Sequence, residues 1–132
     1  MGAAFFDSNV ILYLTGRDPA KVAIARDVIR RRGVISVQVL NETARVLRKK
    51  FGFDWDDTTE FLIGVRAMCD VVPITLETHE RGLAYAERYQ LGVFDAMIVA
   101  AAVLAGCTTL YSEDMHHGLV IDGLTVKNPF RR

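Results

Sequence analysis

The 132-residue sequence has two cysteines, three prolines, one tryptophan and no long hydrophobic run. Cys69 and Cys107 lie far apart in apolar surroundings, which predicts buried free thiols rather than a disulfide framework or a zinc site. The longest apolar segment, residues 96–107, is too short to cross a bilayer, and the N-terminus lacks the basic and apolar stretches of a secretory signal. We therefore expect a protein of the reducing cytoplasm that makes no membrane contact.

The formal net charge at pH 7 is zero, because sixteen basic residues balance sixteen acidic ones. The protein has no overall positive field to attract nucleic acid, so a local patch would have to meet any polyanion. There is no internal repeat, low-complexity tract or flexible linker, and 51% of the residues are hydrophobic. A chain of this length buries a normal core without disulfides or metals. We expect a single domain over residues 1–132.

Short apolar runs alternate with segments of helical periodicity. Strands are predicted at residues 3–6, 34–35, 71–74 and 108–111, with helices between them and a weak terminal hairpin or edge strand at residues 119–126. Proline at position 73 indicates a strand end or a sheet edge. The alternation predicts an α/β fold, with a short, mainly parallel sheet of four to five strands and helices on both faces.

Acidic residues follow the first and the last of the predicted parallel strands. Asp7 comes directly after the apolar run that ends at Phe6, and residues 112–114 (Ser-Glu-Asp) follow the run that ends at Tyr111. The carboxyl ends of parallel strands form the edge where open α/β sheets bind ligands. The alternative for Asp7 is to cap the next helix, a role that belongs more naturally to Ser8.

Two further acids lie near the beginnings of predicted helices. Asp95 is the only charged residue from Phe94 to Leu104, in a helix expected to be buried nearly all round. A buried carboxylate needs a cation, hydrogen-bond donors or solvent, and the free backbone donors of the first helical turn are the alternative to a ligand site. Glu42 has a simpler alternative, an ion pair with Arg45 on the helix surface.

These acids are expected to converge at one sheet edge. Clustered carboxylates repel each other and raise their own pKa values unless a cation lies between them. Magnesium and manganese prefer carboxylate and water oxygens, and one or two such ions can activate a water to attack a phosphodiester. The pattern therefore predicts metal-dependent phosphodiester hydrolysis.

Over essentially its full length, the sequence resembles the PIN-domain ribonucleases of the VapC toxin type. The order and spacing of four segments carry the resemblance: residues 5–10 (FFDSNV), 41–42 (NE), 94–102 (FDAMIVAAA) and 110–115 (LYSEDM). The resemblance implies an endoribonuclease that depends on Mg²⁺, or on Mn²⁺. It also implies an RNA substrate, a small antitoxin protein that blocks the site, and a homodimer.

Carried over by position, the resemblance implies four catalytic, metal-binding acids: Asp7, Glu42, Asp95 and Asp114. The fourth position stays open between Asp114 and the adjacent Glu113, and one or two metal ions would fit the pattern. Ser112 is implied to be a supporting hydroxyl, at a position where the family often has threonine. Asn9 is expected to orient Asp7 or a water.

Other functions remain open from sequence. An aspartyl phosphatase would start from Asp7, but it needs a second aspartate where this chain has Asn9. A PIN-domain RNA-processing nuclease without a toxin role, or a catalytically silent module that binds RNA or a partner, would share the fold. The basic clusters at residues 30–32, 48–50 and 131–132 are more simply explained as cations at helix or chain ends. Three aromatics are expected to pack in the core or at a dimer interface, with stacking on bases or contact with an antitoxin segment as the alternative: Phe51, Phe53 and Trp55.

Overall fold

The computed structural model describes residues 3–131, which form a six-stranded sheet flanked by six α-helices. The strands are β1 (Ala4–Phe6), β2 (Gly33–Ser36), β3 (Cys69–Val72), β4 (Thr109–Tyr111), β5 (Val120–Ile121) and β6 (Leu124–Lys127). The helices are α1 (Ser8–Leu12), α2 (Pro19–Arg30), α3 (Val37–Lys49), α4 (Trp55–Met68), α5 (Leu76–Tyr89) and α6 (Val93–Leu104). A single 3-10 turn, Tyr13–Thr15, follows α1.

The sheet has the order β3-β2-β1-β4-β6-β5, and every strand pair is parallel except β5 with β6. The predicted mainly parallel α/β fold is confirmed. The sheet exceeds the expected four to five strands because residues 119–126 contribute both β5 and most of β6. A turn at Asp122 and Gly123, both with positive φ, joins these two strands. Leu124 and Val126 are buried, which favours β6 as an inner strand beside β4.

Four of the helices begin after a side-chain cap. Asp18, Ser36, Asp54 and Thr75 each accept a backbone hydrogen bond from the first turn of the helix that follows. One expected cap is wrong: Asp7, not Ser8, is the N-cap of α1, because Asp7 has an extended backbone while Ser8 is already helical. Asp7 therefore caps a helix and also lies at the end of β1.

The third strand begins two residues earlier than predicted. It covers Cys69–Val72 and leaves Pro73 outside the ladder, as expected for a residue without a backbone N–H. β3 is an edge strand, which agrees with the interpretation of Pro73.

Gly33 allows β2 to lie close against β1. A Cβ at this position would be 2.5 Å from the carbonyl oxygen of Ala4 and 2.8 Å from the ring of Phe6. Phe5 and Phe6 are fully buried, and β1 lies between β2 and β4 in the sheet. This close packing fixes the strand that ends at Asp7.

Helix α6 is buried along most of its length but not at its start. All residues from Ala96 to Ala102 are buried, and Gly82 of α5 leaves room for the side chain of Met97. The first turn differs from the expectation, because Val93 is 49% exposed and Phe94 is 70% exposed. Asp95, in this same turn, is therefore open to solvent.

Both cysteines are buried and free, as predicted, and burial raises the pKa of each thiol to about 11. Within residues 3–131, no helix combines the length and apolarity needed to cross a bilayer.

The strand order creates a switch point between β1 and β4. The chain leaves β1 toward β2 on one side, whereas it leaves β4 toward β6 on the other. Connections that diverge from neighbouring parallel strands leave a crevice at their carboxyl ends, where open α/β sheets bind ligands. Asp7 follows β1 at this crevice, and Ser112, Glu113 and Asp114 follow β4.

Candidate active site

Asp7 is a buried carboxylate held from two sides. It is only 4% exposed; its Oδ1 accepts a hydrogen bond from the Ser8 N–H at 2.7 Å, and its Oδ2 accepts one from the Ser112 hydroxyl at 2.8 Å. Burial raises the pKa of Asp7 to about 6 in spite of these donors, and the negative charges of Asp95 and Asp114 raise it further. The two hydrogen bonds fix the orientation of the carboxylate, while burial and the nearby negative charges favour its protonated form.

Ser112 and Asn9 form a network behind Asp7. The Ser112 hydroxyl is fully buried and also accepts hydrogen bonds from Asn9 Nδ2 at 3.4 Å and from the Met115 N–H at 3.3 Å. Asn9 Oδ1 accepts a hydrogen bond from the Glu113 N–H at 3.1 Å. Asn9 therefore fastens the loop after β4 to α1, and it acts on Asp7 through Ser112 rather than directly.

Glu42 lies half-buried on α3, and the charges of Asp7 and Asp95 act on its carboxylate. Burial raises the pKa of Glu42, and the charges of Asp7 and Asp95 add to this increase, while a hydrogen bond with the Ser8 side chain and the charge of Arg45 oppose it. Among residues 3–131, Glu42 has no ion-pair partner within 4 Å. The alternative considered for Glu42, a surface ion pair with Arg45, is therefore not formed, and the charges of the other acids act on Glu42.

Asp95 occupies the third position of α6. Gln38 on α3 donates a hydrogen bond to the Phe94 carbonyl at 2.9 Å, which ties the start of α6 to the helix that carries Glu42. Burial and the charge of Asp114 raise the pKa of Asp95. Its side chain accepts no hydrogen bond from the described part of the chain, so the free backbone donors of the first turn do not satisfy it.

The adjacent acids Glu113 and Asp114 have different surroundings. The carboxylate of Glu113 accepts hydrogen bonds from the Tyr13 hydroxyl and, at 2.8 Å, from Lys21 Nζ. Burial favours its neutral form, but the donors outweigh burial and lower the pKa of Glu113. Asp114 is exposed, and its charge acts on Asp7 and Asp95. Thus Glu113 is neutralised by Lys21, whereas Asp114 lies with the other acids.

Sequence reasoning missed Tyr13 and Lys21. The Lys21 ammonium also donates a hydrogen bond to the Tyr13 hydroxyl oxygen at 3.0 Å and lies 4.8 Å from the centre of the Tyr13 ring. Tyr13 and Lys21 are 100 and 92 residues away from Glu113 in the chain. No local pattern in the sequence could reveal contacts at such a separation.

The acid cluster fits a hydrated divalent cation. Asp7, Glu42, Asp95 and Asp114 form no ion pair within 4 Å in residues 3–131, so their mutual repulsion is uncompensated. In the same part of the chain, no three acidic, histidine or cysteine side chains are already gathered as a ligand set. Mg²⁺ tolerates such an open arrangement, because it keeps several waters and is usually bound through one or two carboxylates.

The basic cluster at residues 30–32 has ion-pair partners. Arg30 and Arg31 pair with Asp27, and Arg32 pairs with Asp70. Arg131 is exposed, while position 132 lies outside the described residues. These contacts agree with the simpler interpretation of residues 30–32.

The aromatic residues after α3 are less buried than expected. Phe53 is partly buried, but Phe51 is 46% exposed and Trp55 is 66% exposed, so packing in the core is wrong for these two. Arg48 covers one face of Trp55, with its guanidinium 4.2 Å from the ring centre.

Comparison with known proteins gives consistent relatives. The model of the PIN domain family matches residues 4–118. A solved toxin-antitoxin complex from Klebsiella pneumoniae contains a chain with a TM-score of 0.75 and 22% identity, over 98% of this chain and 100% of that chain. No curated protein sequence matches significantly.

Two further solved structures have the same fold. VapC20 of Mycobacterium tuberculosis, described as a sarcin-ricin loop cleaving toxin, has a TM-score of 0.66 and 18% identity, over 85% of this chain and 90% of that chain. DNA-bound VapBC from Salmonella typhimurium has a TM-score of 0.72 and 16% identity, over 98% of this chain and 99% of that chain. At these identities the likeness shows a shared fold.

Proposed function

The chain belongs to the PIN domain family, and from this premise we propose that it is a divalent-metal-dependent endoribonuclease and the toxin of a type II toxin-antitoxin pair. The observation that carries the proposal is the uncompensated acid cluster at the switch point between β1 and β4. Burial, together with the charges of other acids in the cluster, raises the pKa values of Asp7, Glu42 and Asp95. An electrostatic cost of this kind is typical of functional sites rather than of stabilising surface charges.

Four acids would hold the metal: Asp7, Glu42, Asp95 and Asp114. When bound, Mg²⁺ or Mn²⁺ supplies Lewis-acid activation of a water and stabilises the oxygens of the phosphodiester. Ser112 donates to Asp7 Oδ2 and so favours the ionised, ligating form of that carboxylate. Asn9 keeps the loop after β4 against α1, which limits the movement of Asp114.

We assign the fourth acid to Asp114 rather than Glu113. The Glu113 carboxylate is engaged by Lys21 and Tyr13, so ligation of a metal would require it to leave two charge-assisted hydrogen bonds. The charge of Asp114, in contrast, acts on two other members of the cluster. Glu113 then serves to hold the loop.

The partners follow from the family and from its structural relatives. Toxin-antitoxin complexes are among the solved structures with this fold, which supports a small antitoxin as the protein partner. A homodimer and a cytoplasmic location are further parts of the proposal. Size-exclusion chromatography with light scattering tests the dimer.

The direct test is cleavage of single-stranded RNA by the purified protein. We expect cleavage with Mg²⁺ or Mn²⁺, none with EDTA, and none by Asp95→Asn, whose exposed position allows normal folding. Asp27→Asn is the matched control, because it removes an aspartate that pairs only with Arg30 and Arg31 on α2. Cleavage that survives EDTA, or that survives Asp95→Asn, would contradict the proposal.

A further inference from the structure

A cleft of about 380 Å³ is lined by residues of α1 and α3 and of the loop after β4. Its lining includes Asn9 and Asp114 of the candidate active site and, just beyond the C-terminus of α3, Lys50 and Phe51. Apolar side chains such as Leu12 also line it. The cleft therefore connects the candidate active site to a cation and an aromatic ring.

Two residues of the cleft lining, Lys50 and Phe51, are adjacent in the chain and exposed. Phe51 is 46% exposed, although burial of such a ring is strongly favourable. Lys50 is exposed and forms no ion pair within 4 Å in the described part of the chain. A helix rises about 1.5 Å per residue, so Lys50 lies roughly 12 Å beyond Glu42 along α3. A dinucleotide spans such a distance.

We infer that this cleft is a nucleotide subsite, in which an unpaired RNA base next to the scissile phosphodiester stacks on Phe51 and its phosphate contacts Lys50. The inference rests on the proposed nuclease function and names how its substrate is held. Single-strand sites combine a cation for the backbone with an aromatic ring for the base. The carboxylates repel phosphates, and the chain has no net positive charge, so a local attractive contact beside the acids is required.

The subsite selects single strands over duplexes. In a duplex each base is already stacked on both faces and is not free to lie on Phe51. The adjacent aromatic Trp55 does not line the cleft, and its ring is covered by Arg48. Lys49, next to Lys50, also lies outside the cleft lining. Trp55 is therefore a matched control for Phe51, and Lys49 is a matched control for Lys50.

The test measures RNA binding separately from cleavage. All variants carry Asp95→Asn, so that a fluorescein-labelled single-stranded RNA of mixed sequence stays intact while its anisotropy is titrated with protein. We expect Phe51→Ala to weaken binding by about tenfold and Phe51→Tyr to restore it. We expect Lys50→Gln to lower the slope of log affinity against log salt by about 0.7, the value for one phosphate contact. Trp55→Ala and Lys49→Gln should match the parent.

Three results would overturn the subsite: unchanged affinity in Phe51→Ala, an equal loss in Trp55→Ala, or equally tight binding of the fully paired duplex. Circular dichroism and thermal melts show whether each variant is folded. If the wild type cleaves RNA but Phe51→Ala alters neither affinity nor KM, the subsite fails and the nuclease function stands. If Phe51→Ala weakens binding but the wild type cleaves no RNA, the subsite stands and the nuclease function fails.

Discussion

Asp7→Asn should make the protein more stable at neutral and higher pH. The aspartate has an ordinary pKa of 3.8 in the unfolded chain and a pKa of about 6 in the folded protein. Because the folded state binds more protons between these values, the free energy of unfolding falls as the pH rises through this window. Asparagine carries no charge at any pH, so it does not suffer this loss.

The size of the effect follows from the pKa shift. A change of about two pKa units corresponds to about 3 kcal/mol, which is an upper figure for the stabilisation by Asp7→Asn at about pH 8. The amide oxygen of asparagine can still accept from the Ser8 N–H, so the cap of α1 is kept. Well below the unfolded-state pKa of 3.8, the Asp7 carboxyl is protonated in both states, and the two proteins should be equally stable.

The assay is urea unfolding followed by circular dichroism across this pH range, with EDTA present so that no metal stabilises the wild type. Asp27→Asn is the control, and it should lower the free energy of unfolding at pH 8 rather than raise it. Arg30 and Arg31 lower the pKa of Asp27, so its ionised form is favoured in the folded protein. The reasoning is refuted if Asp7→Asn gives no stabilisation at pH 8. It is also refuted if the stabilisation is the same at every pH.

Further predictions concern two buried hydroxyls and the adjacent acids Glu113 and Asp114. Ser112→Ala should lower the free energy of unfolding by about 1.5–3 kcal/mol, because it removes a hydrogen bond to a buried carboxylate. Thr43→Val should leave the free energy of unfolding unchanged or raise it, since the buried Thr43 hydroxyl has no hydrogen-bond partner within residues 3–131. Equal losses of stability in Ser112→Ala and Thr43→Val would contradict this reasoning. In the RNA cleavage assay, Glu113→Gln should keep near wild-type activity while Asp114→Asn loses at least about tenfold; the reverse ranking would make Glu113 the ligand.

Much of the fold could be predicted from local chemistry. The apolar runs before Asp7 and Ser112, and the caps at Asp18, Ser36 and Thr75, are set by residues close to them in sequence. Hydrophobic periodicity and capping act within one or two turns, so they can be seen in the chain itself. Boundaries that depend on strand pairing, such as the start of β3 at Cys69, were displaced by two residues.

The terminal hairpin shows why strand number was underestimated. β5 and β6 are short and weakly patterned, and β6 is stabilised by pairing with β4 rather than by its own sequence. Likewise, Val93 and Phe94 are as apolar as the later residues of α6, yet within residues 3–131 both remain largely exposed. Packing of this kind depends on distant elements.

Local sequence patterns were enough to place the acids relative to the strands and helices: Asp7 after β1, Glu42 early in α3, Asp95 at the start of α6 and Asp114 after β4. The surroundings of each acid depend on how distant parts of the chain pack together. This packing paired Glu113 with Lys21 and Tyr13, left Asp114 with the other acids, and placed Ser112 and Asn9 behind Asp7. Hydrogen bonds require contact, and electrostatic interactions weaken with distance, so both depend on which groups are close in space. The order of the strands in the sheet, rather than spacing along the chain, decides which groups are close.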